Sequence, residues 1–170
     1  MLLLDLTRLD REGSLRIEGR IALDDPLWEG SEVRLRDPLR VALRAGEAAS
    51  GEVVVRGSVE GRLAQACRRC LRPVDVGFCE DVTFVFAPPD LSSVEGEGDI
   101  RLVPAGASEI DLGEPIREEV ILAAPSYTVC EPECKGLCPH CGADLNKTTC
   151  DCGAAEPDPR WDVLRALKDR

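Results

Sequence analysis

Between Ser14 and Phe86 apolar and polar residues alternate with a period of two. Leu15, Ile17, Ile21 and Leu23 interleave with Arg16, Glu18, Arg20 and Ala22. Leu39, Val41 and Leu43 share one parity, as do Val53 and Val55, and then Val82, Phe84 and Phe86. Such alternation marks strands with one buried face. Turn residues punctuate the runs at Asp24-Asp25-Pro26, Asp37-Pro38, Ala45-Gly46-Glu47 and Ser50-Gly51. Residues 1–86 therefore read as β throughout. Short strands joined by turns predict a curved antiparallel sheet or partial barrel and argue against a βαβ arrangement.

The pattern changes downstream. Residues 87–108 hold Pro88-Pro89, Ser92-Ser93 and Glu95-Gly96-Glu97-Gly98-Asp99, too little apolar surface to pack, which predicts an exposed loop. Asp111-Leu112-Gly113-Glu114 has capping-box spacing ahead of a helical pattern at Leu112, Ile116, Val120 and Ala123, and Pro125 should stop that helix. Asp158-Pro159 can cap a last short helix over 159–168, carrying Trp161, Leu164 and Leu167 on one face. The predicted fold class is α+β: the sheet, one or two helices, and a C-terminal cysteine-rich segment. Residues 1–129 form a β-rich body, and 130–170 a metal-binding segment with its helix, packed as one unit.

Composition narrows this picture. A chain of 170 residues suits one domain. With 44% hydrophobic but only 4% aromatic residues, its core must be aliphatic. No apolar run approaches the ~20 residues of a membrane span, and Met1-Leu2-Leu3-Leu4 is followed at once by Asp5 instead of continuing as a signal peptide. A cytoplasmic protein with no membrane association is expected. The net charge of −11 is unevenly spread: 34–72 carries nine arginines against four acids, whereas 87–124 carries nine acids against two arginines. Global attraction to nucleic acid is excluded, but a local basic face is not.

Six of the nine cysteines lie between Cys130 and Cys152. Cys138-Pro139-His140-Cys141-Gly142 fits a metal knuckle, with Gly142 free to take a positive φ. Cys150 and Cys152 complete four thiolates. Cys130 and Cys134 are then two ligands short, and Cys67-Arg68-Arg69-Cys70, at a predicted hairpin tip, is the other close pair. The spacing thus predicts two zinc ions, one on Cys67, Cys70, Cys130 and Cys134, the other on Cys138, Cys141, Cys150 and Cys152. Cys79 remains, expected as a buried thiol on a strand. An odd cysteine count without a signal peptide argues against disulfides. Iron–sulfur ligation uses the same four thiolates and stays open on spacing alone. A thioredoxin-like role for Cys67 and Cys70 requires a helix that the flanking sequence does not supply. His140, the single histidine, is expected outside its knuckle.

The basic stretch offers Arg56, Arg62, Arg68, Arg69 and Arg72 as candidate RNA-binding residues, since guanidinium forks suit phosphates and stacked bases. They could equally neutralise neighbouring acids or the thiolates themselves. An enzyme acting on RNA or protein through zinc or a thiol is the rival class. It needs an open metal position or a base, and here the thiolates fill both sites while glycine-rich phosphate loops are absent.

Four stretches together resemble the YceD family of bacteria and plastids: Cys67-Arg68-Arg69-Cys70-Leu71 with Pro73-Val74; Glu118-Glu119-Val120-Ile121-Leu122-Ala123-Ala124-Pro125; Cys134-Lys135-Gly136-Leu137-Cys138-Pro139-His140-Cys141-Gly142 with Leu145-Asn146; and Asp158-Pro159-Arg160-Trp161 with Leu164 and Leu167. The similarity spans roughly Gln65 to Lys168. It implies a non-catalytic factor in ribosome biogenesis supporting accumulation of large-subunit ribosomal RNA. The implied partners are ribosomal RNA or a large-subunit ribosomal protein, with no small-molecule substrate. Some members lack the second cysteine cluster, which implies separable metal sites.

Overall fold

The computed structural model describes residues 2–88, 100–153 and 160. A five-stranded sheet runs in the order β2 (Ser14–Ile21), β3 (Leu39–Glu47), β4 (Val53–Ala66), β5 (Pro73–Ala87) and β6 (Ile100–Leu102). The first four strands form an antiparallel meander, as the alternation predicts, and β6 adds parallel to β5. A second, two-stranded sheet pairs β1 (Leu3–Asp5) with β7 (Glu109–Asp111). The predicted loop over 87–108 is corrected at 100–102, where Ile100 and Leu102 join the sheet; residues 89–99 of that loop lie outside the described residues.

Period-two alternation places Leu39, Val41, Leu43, Val55, Val59, Leu63, Val82, Phe84 and Phe86 on one sheet face, all buried. The opposite face carries the polar residues of the same strands. The buried face is covered by the small sheet and by helices α1 (Leu6–Glu12) and α2 (Gly113–Ala123), which contribute Leu4, Leu9, Ile110, Leu112, Ile116 and Val120 to one continuous core. Trp28 closes the end of this layer, and its indole N–H donates to the Ala22 carbonyl at 2.9 Å.

Several local expectations change. The reading of 1–86 as all β misses α1, although its signals are present: the Asp5 side chain accepts from the Arg8 amide at 2.8 Å, and Gly13 closes the helix at φ 70°. Seven residues give too little periodicity to stand out between two strand patterns. Ala45-Gly46-Glu47 continues β3, so the turn begins at Ala48, and Leu23 lies past the end of β2, exposed. Cys79 is on a strand but exposed, because its parity in β5 is opposite to that of Val82, Phe84 and Phe86. At α2, Asp111 does not form a capping box; its Oδ1 accepts from Gly113 N at 2.9 Å. Ala124, before Pro125, is extended (φ −67°, ψ 115°) and ends the helix where proline requires. The predicted helix over 159–168 lies outside the described residues except for Arg160. Among the described residues no helix is long and apolar enough to cross a membrane.

Ile116 and Val120, each 0% exposed, anchor α2 to the core. Replacing Ile116 with alanine should therefore cost about 2–5 kcal/mol, measured by urea denaturation, while metal content stays unchanged.

Candidate metal centres

The hairpin of β4 and β5 is in register down to Ala66 opposite Pro73. Its tip is the CRRC turn: Cys67 N donates to Arg72 O at 2.8 Å and Leu71 N to Cys67 O at 2.9 Å. Leu71 takes φ 60°, a conformation costly for a side chain bearing Cβ. Two amides converge on the first sulfur, Arg69 N at 3.4 Å and Cys70 N at 3.5 Å from Cys67 Sγ. Arg68 N donates to Thr128 O at 2.8 Å, which lays the segment after α2 along the turn. Thr128 is itself fixed through its hydroxyl, which donates to Gln65 Oε1.

That docking brings Cys130 and Cys134 to the tip. Cys67 Sγ lies 3.9 Å from Cys134 Sγ, and Cys70 Sγ 3.6 Å from Cys130 Sγ. The sulfurs of all four lie within 4.8 Å of one another. Four thiolates at ~2.3 Å from a central ion form a tetrahedron with edges of about 3.8 Å, whereas a disulfide requires ~2.05 Å. The spacing matches ligation. Cys67, Cys70 and Cys134 are buried and Cys130 half-buried.

Cys138, Cys141, Cys150 and Cys152 form a second group within the same 4.8 Å limit. Here Cys138 N donates to Ala143 O at 2.8 Å, and Gly142, at φ 73°, returns its amide to Cys138 O at 2.9 Å. Only Cys138 is buried; Cys141 and Cys152 are exposed. The structure thus gathers the eight cysteines in the two sets that spacing suggests, and each set can hold one metal ion. His140 is exposed beside the second set and outside it.

The thiols of each set differ. Burial pushes the Cys67 thiol up, but amides of Cys70, Cys130 and Arg69 outweigh it and bring the group down to about 6. Amides of Cys141 and His140 bring Cys138 to about 6 as well. Cys70 goes the other way: an amide from Arg72 favours its thiolate, yet burial and three neighbouring thiols push it up to about 11. Contact with the Cys141 thiol raises Cys152 to about 12. Charges cannot accumulate on four adjacent sulfurs without a cation, which is the electrostatic case for a metal.

Three residues join the two centres. Arg69 reaches from the knuckle with Nη1 donating to Cys134 O at 2.9 Å and Pro132 O at 3.2 Å, and Nε to the Tyr127 hydroxyl at 3.3 Å. Its own carbonyl accepts from Leu137 N at 3.0 Å. Gly136 permits that approach: it sits at φ 76°, and a Cβ there would lie 2.9 Å from Arg69 O. Asn146 donates from Nδ2 to Cys134 Sγ at 3.5 Å, and its Oδ1 accepts from Lys135 N at 2.8 Å. Asp144 orients Asn146 by accepting from both its amides. The second centre is built on the first. Asn146 has no metal-ligand chemistry of its own, so no spacing rule marks it.

The candidate RNA-binding arginines separate. Arg69 is committed to the metal loop. Arg72 donates to Cys130 Sγ at 2.9 Å and Glu131 Oε1 at 3.2 Å, and the thiol and carboxylate hold its guanidinium well above the ordinary range. Arg62 pairs with Asp37 and Asp75 at 3.9 and 3.8 Å. Arg68, at the tip, and Arg56, on the outer face of β4, are exposed and form no ion pair among the described residues.

Native mass spectrometry should find two metals per chain, and Cys67→Ser should abolish the first and loosen the second, which is built on it. Because the second centre is the more exposed, a chelator should empty it first; uniform loss from both would contradict this order. Outer partners of metal ligands typically contribute ~10–100-fold to affinity. Asn146→Ala and Arg72→Gln should each weaken retention by that order, read from competition with a chromogenic chelator, whereas Arg68→Gln should not.

The family described as "Large ribosomal RNA subunit accumulation protein YceD" matches residues 55–168, from within β4 through both cysteine sets. An uncharacterized protein of Mycobacterium tuberculosis (strain ATCC 25618 / H37Rv) is 34% identical over 170 residues, covering 94% of this chain and 78% of the relative. A chloroplastic "Large ribosomal RNA subunit accumulation protein YCED homolog 1" of Zea mays is 31% identical over 130 residues, 60% of this chain and 44% of that protein. The Arabidopsis thaliana protein of the same description is 40% identical over 67 residues, 39% of this chain and 21% of its own length. No solved structure matches. With two thirds of its length matched to the family and a relative aligned nearly end to end, the chain belongs to the YceD family.

Proposed function

We propose that this chain is a non-catalytic, zinc-stabilised factor of ribosome biogenesis that supports accumulation of large-subunit ribosomal RNA by contacting RNA directly. The observation that carries this reading is the completeness of both sulfur sets within a family described by ribosomal RNA accumulation. Four thiolates fill a tetrahedral ion, leaving no position for a water or substrate. Zinc bound by Cys67, Cys70, Cys130 and Cys134, and by Cys138, Cys141, Cys150 and Cys152, would serve as a clamp. All-sulfur ligation in knuckle turns suits that ion, with thiolate softness selecting against Mg²⁺ and Ca²⁺.

Large-subunit ribosomal protein is the other partner consistent with the family. Its attraction would have to come from the acidic stretch around α2. Two of those acids are already engaged: Glu118 with Arg101, and Glu114 with Arg117 at 3.6 Å. RNA is therefore the preferred partner.

Purified protein loaded with zinc should bind large-subunit ribosomal RNA transcripts with strong salt dependence and leave their length and mass unchanged on prolonged incubation. Depleting it from cells should lower large-subunit RNA relative to small-subunit RNA. Cleavage or modification of the transcript would sink the non-catalytic reading, and an unchanged RNA ratio would sink the biological one.

A further inference from the structure

The outward face of the large sheet has a charge pattern that sheet stability alone does not favour. Register sets Arg16 of β2 opposite Arg44 of β3, and Arg44 opposite Arg56 of β4, so three guanidinium groups line up across adjacent strands. Four residues along, Arg20 faces Arg40. All five are exposed. Like charges directly opposite destabilise a sheet, and the usual remedy is an acid across the strand. Acids on this face answer only some of the arginines: Glu18 lies 3.7 Å from Arg16, Glu60 3.8 Å from Arg40, and Asp75 3.8 Å from Arg62. Asp81 sits at the far strand, opposite Ser58. Among the described residues Arg20, Arg44 and Arg56 form no ion pair.

The relief of the face is also specific. Between the two basic rows runs the row Glu18, Ala42, Ser58 and Asp81, whose two central members are too small to rise between the guanidiniums and whose acids stand at its ends. One shallow hollow of about 410 Å³ is lined by Arg20, Arg40 and Arg62 with Asp37 and Glu60 at one end, and another of about 350 Å³ by Arg44 and Arg56 with Glu47 at the other. Strands ~4.8 Å apart and residues ~3.3 Å apart put the rows about 13 Å from each other and make each row up to ~10 Å wide. Leu71, Leu122 and Tyr127 lie off this face, and the exposed Leu102 stands on it only at the β6 edge, paired with Ala87 two strands beyond Arg56. Among the described residues the arginine rows therefore carry neither the apolar anchor on which protein interfaces centre nor the aromatic platform that stacks bases.

We propose that the outer face of the large sheet, centred on Arg44 and Arg56 with Arg16 and Arg20 beside them, binds the phosphate backbone of RNA without reading its sequence. Phosphates seated between opposed guanidiniums convert the repulsion in the row into bidentate attraction. The inference rests on the direct RNA contact proposed above and relocates it, from the metal knuckle to the sheet.

The test is fluorescence anisotropy of the zinc-loaded full chain with a labelled, mixed-sequence single-stranded RNA of about 30 nucleotides, from about 50 to about 200 mM KCl. Arg44→Gln/Arg56→Gln should weaken binding at least ~10-fold and reduce the slope of log affinity against log salt by about 1.4, at ~0.7 per phosphate. Its melting temperature should hold or rise, because the row is relieved, and its metal content should not change. Arg44→Lys/Arg56→Lys should keep the wild-type slope, and Arg68→Gln should bind as wild type. If the double glutamine variant does not fold, Arg56→Gln alone should show about half the slope change. An unchanged slope in the glutamine variant together with lost binding in Arg68→Gln would overturn the inference and leave direct RNA contact standing at the knuckle. Displacement of the RNA by polyglutamate at equal charge concentration would overturn it in favour of an acidic protein partner. No RNA binding by the wild type would overturn both this inference and the reading on which it rests.

Discussion

Cys67 and Cys70 at the end of a long hairpin meet Cys130 and Cys134, which lie some sixty residues further along the chain. The hairpin needs that meeting. Its strands are 14 and 15 residues long, well beyond the ~5–6 of a usual strand. Only the first half of β4 is flanked by β3, whose pairing stops at Arg40 opposite Glu60. Beyond that point the short stretch around Leu35 takes over the edge, with Arg36 N donating to Arg62 O and Ala64 N to Arg34 O, both at 2.7 Å. At the tip the apolar cluster is three cysteines with Val74, Val129, Cys130 and Leu137 around them. A cluster of that size cannot hold chain ends together by burial. Structural zinc contributes apparent binding free energies of ~10–16 kcal/mol in small domains, so a bound ion can stand in for the core that the tip lacks.

The second centre then inherits its position. Arg69, at the hairpin tip, grips the loop between the two sets with both its carbonyl and its guanidinium. Asn146 closes the link on the other side by reaching back to Cys134 Sγ. Loss of the first centre should thus propagate outward to the second, whereas loss of the second leaves the hairpin tip its own four ligands. This hierarchy gives a physical reason why a metal site could be dispensable at the periphery and not at the tip.

Strand faces and the helix stop at Pro125 were legible because each depends on a local rule, period two or proline geometry. The grouping of the cysteines was legible because ligand counting leaves few solutions. Helix α1 was not, since a helix of under two full turns between strands has no periodicity of its own, although Asp5 and Gly13 mark its ends. The three-residue strands β1, β6 and β7 exist only through partners distant in sequence. Cys79 shows a subtler failure: its strand was evident, but the parity of Val82, Phe84 and Phe86 already placed it outward. The tasks of Arg69, Arg72 and Asn146 depend on contacts across 11 to 65 residues, which no window along the chain contains.

Arginine is used here in three physically different ways, and composition alone cannot separate them. Arg72 sits against a thiolate, where its charge offsets the surplus negative charge of a four-sulfur site. Arg69 acts as a fork of donors on carbonyls, a mechanical tie in which the charge is secondary. The row on the outer sheet face does neither, and its members repel one another in the absence of an anion. In a chain of net charge −11 such a row is also the place where an approaching polyanion meets least opposition. Repulsion within the row and attraction to phosphate have the same source. A sheet whose far end a metal ion would hold rigid could tolerate the first in order to present the second, because the stability that repulsion removes would be supplied elsewhere in the fold.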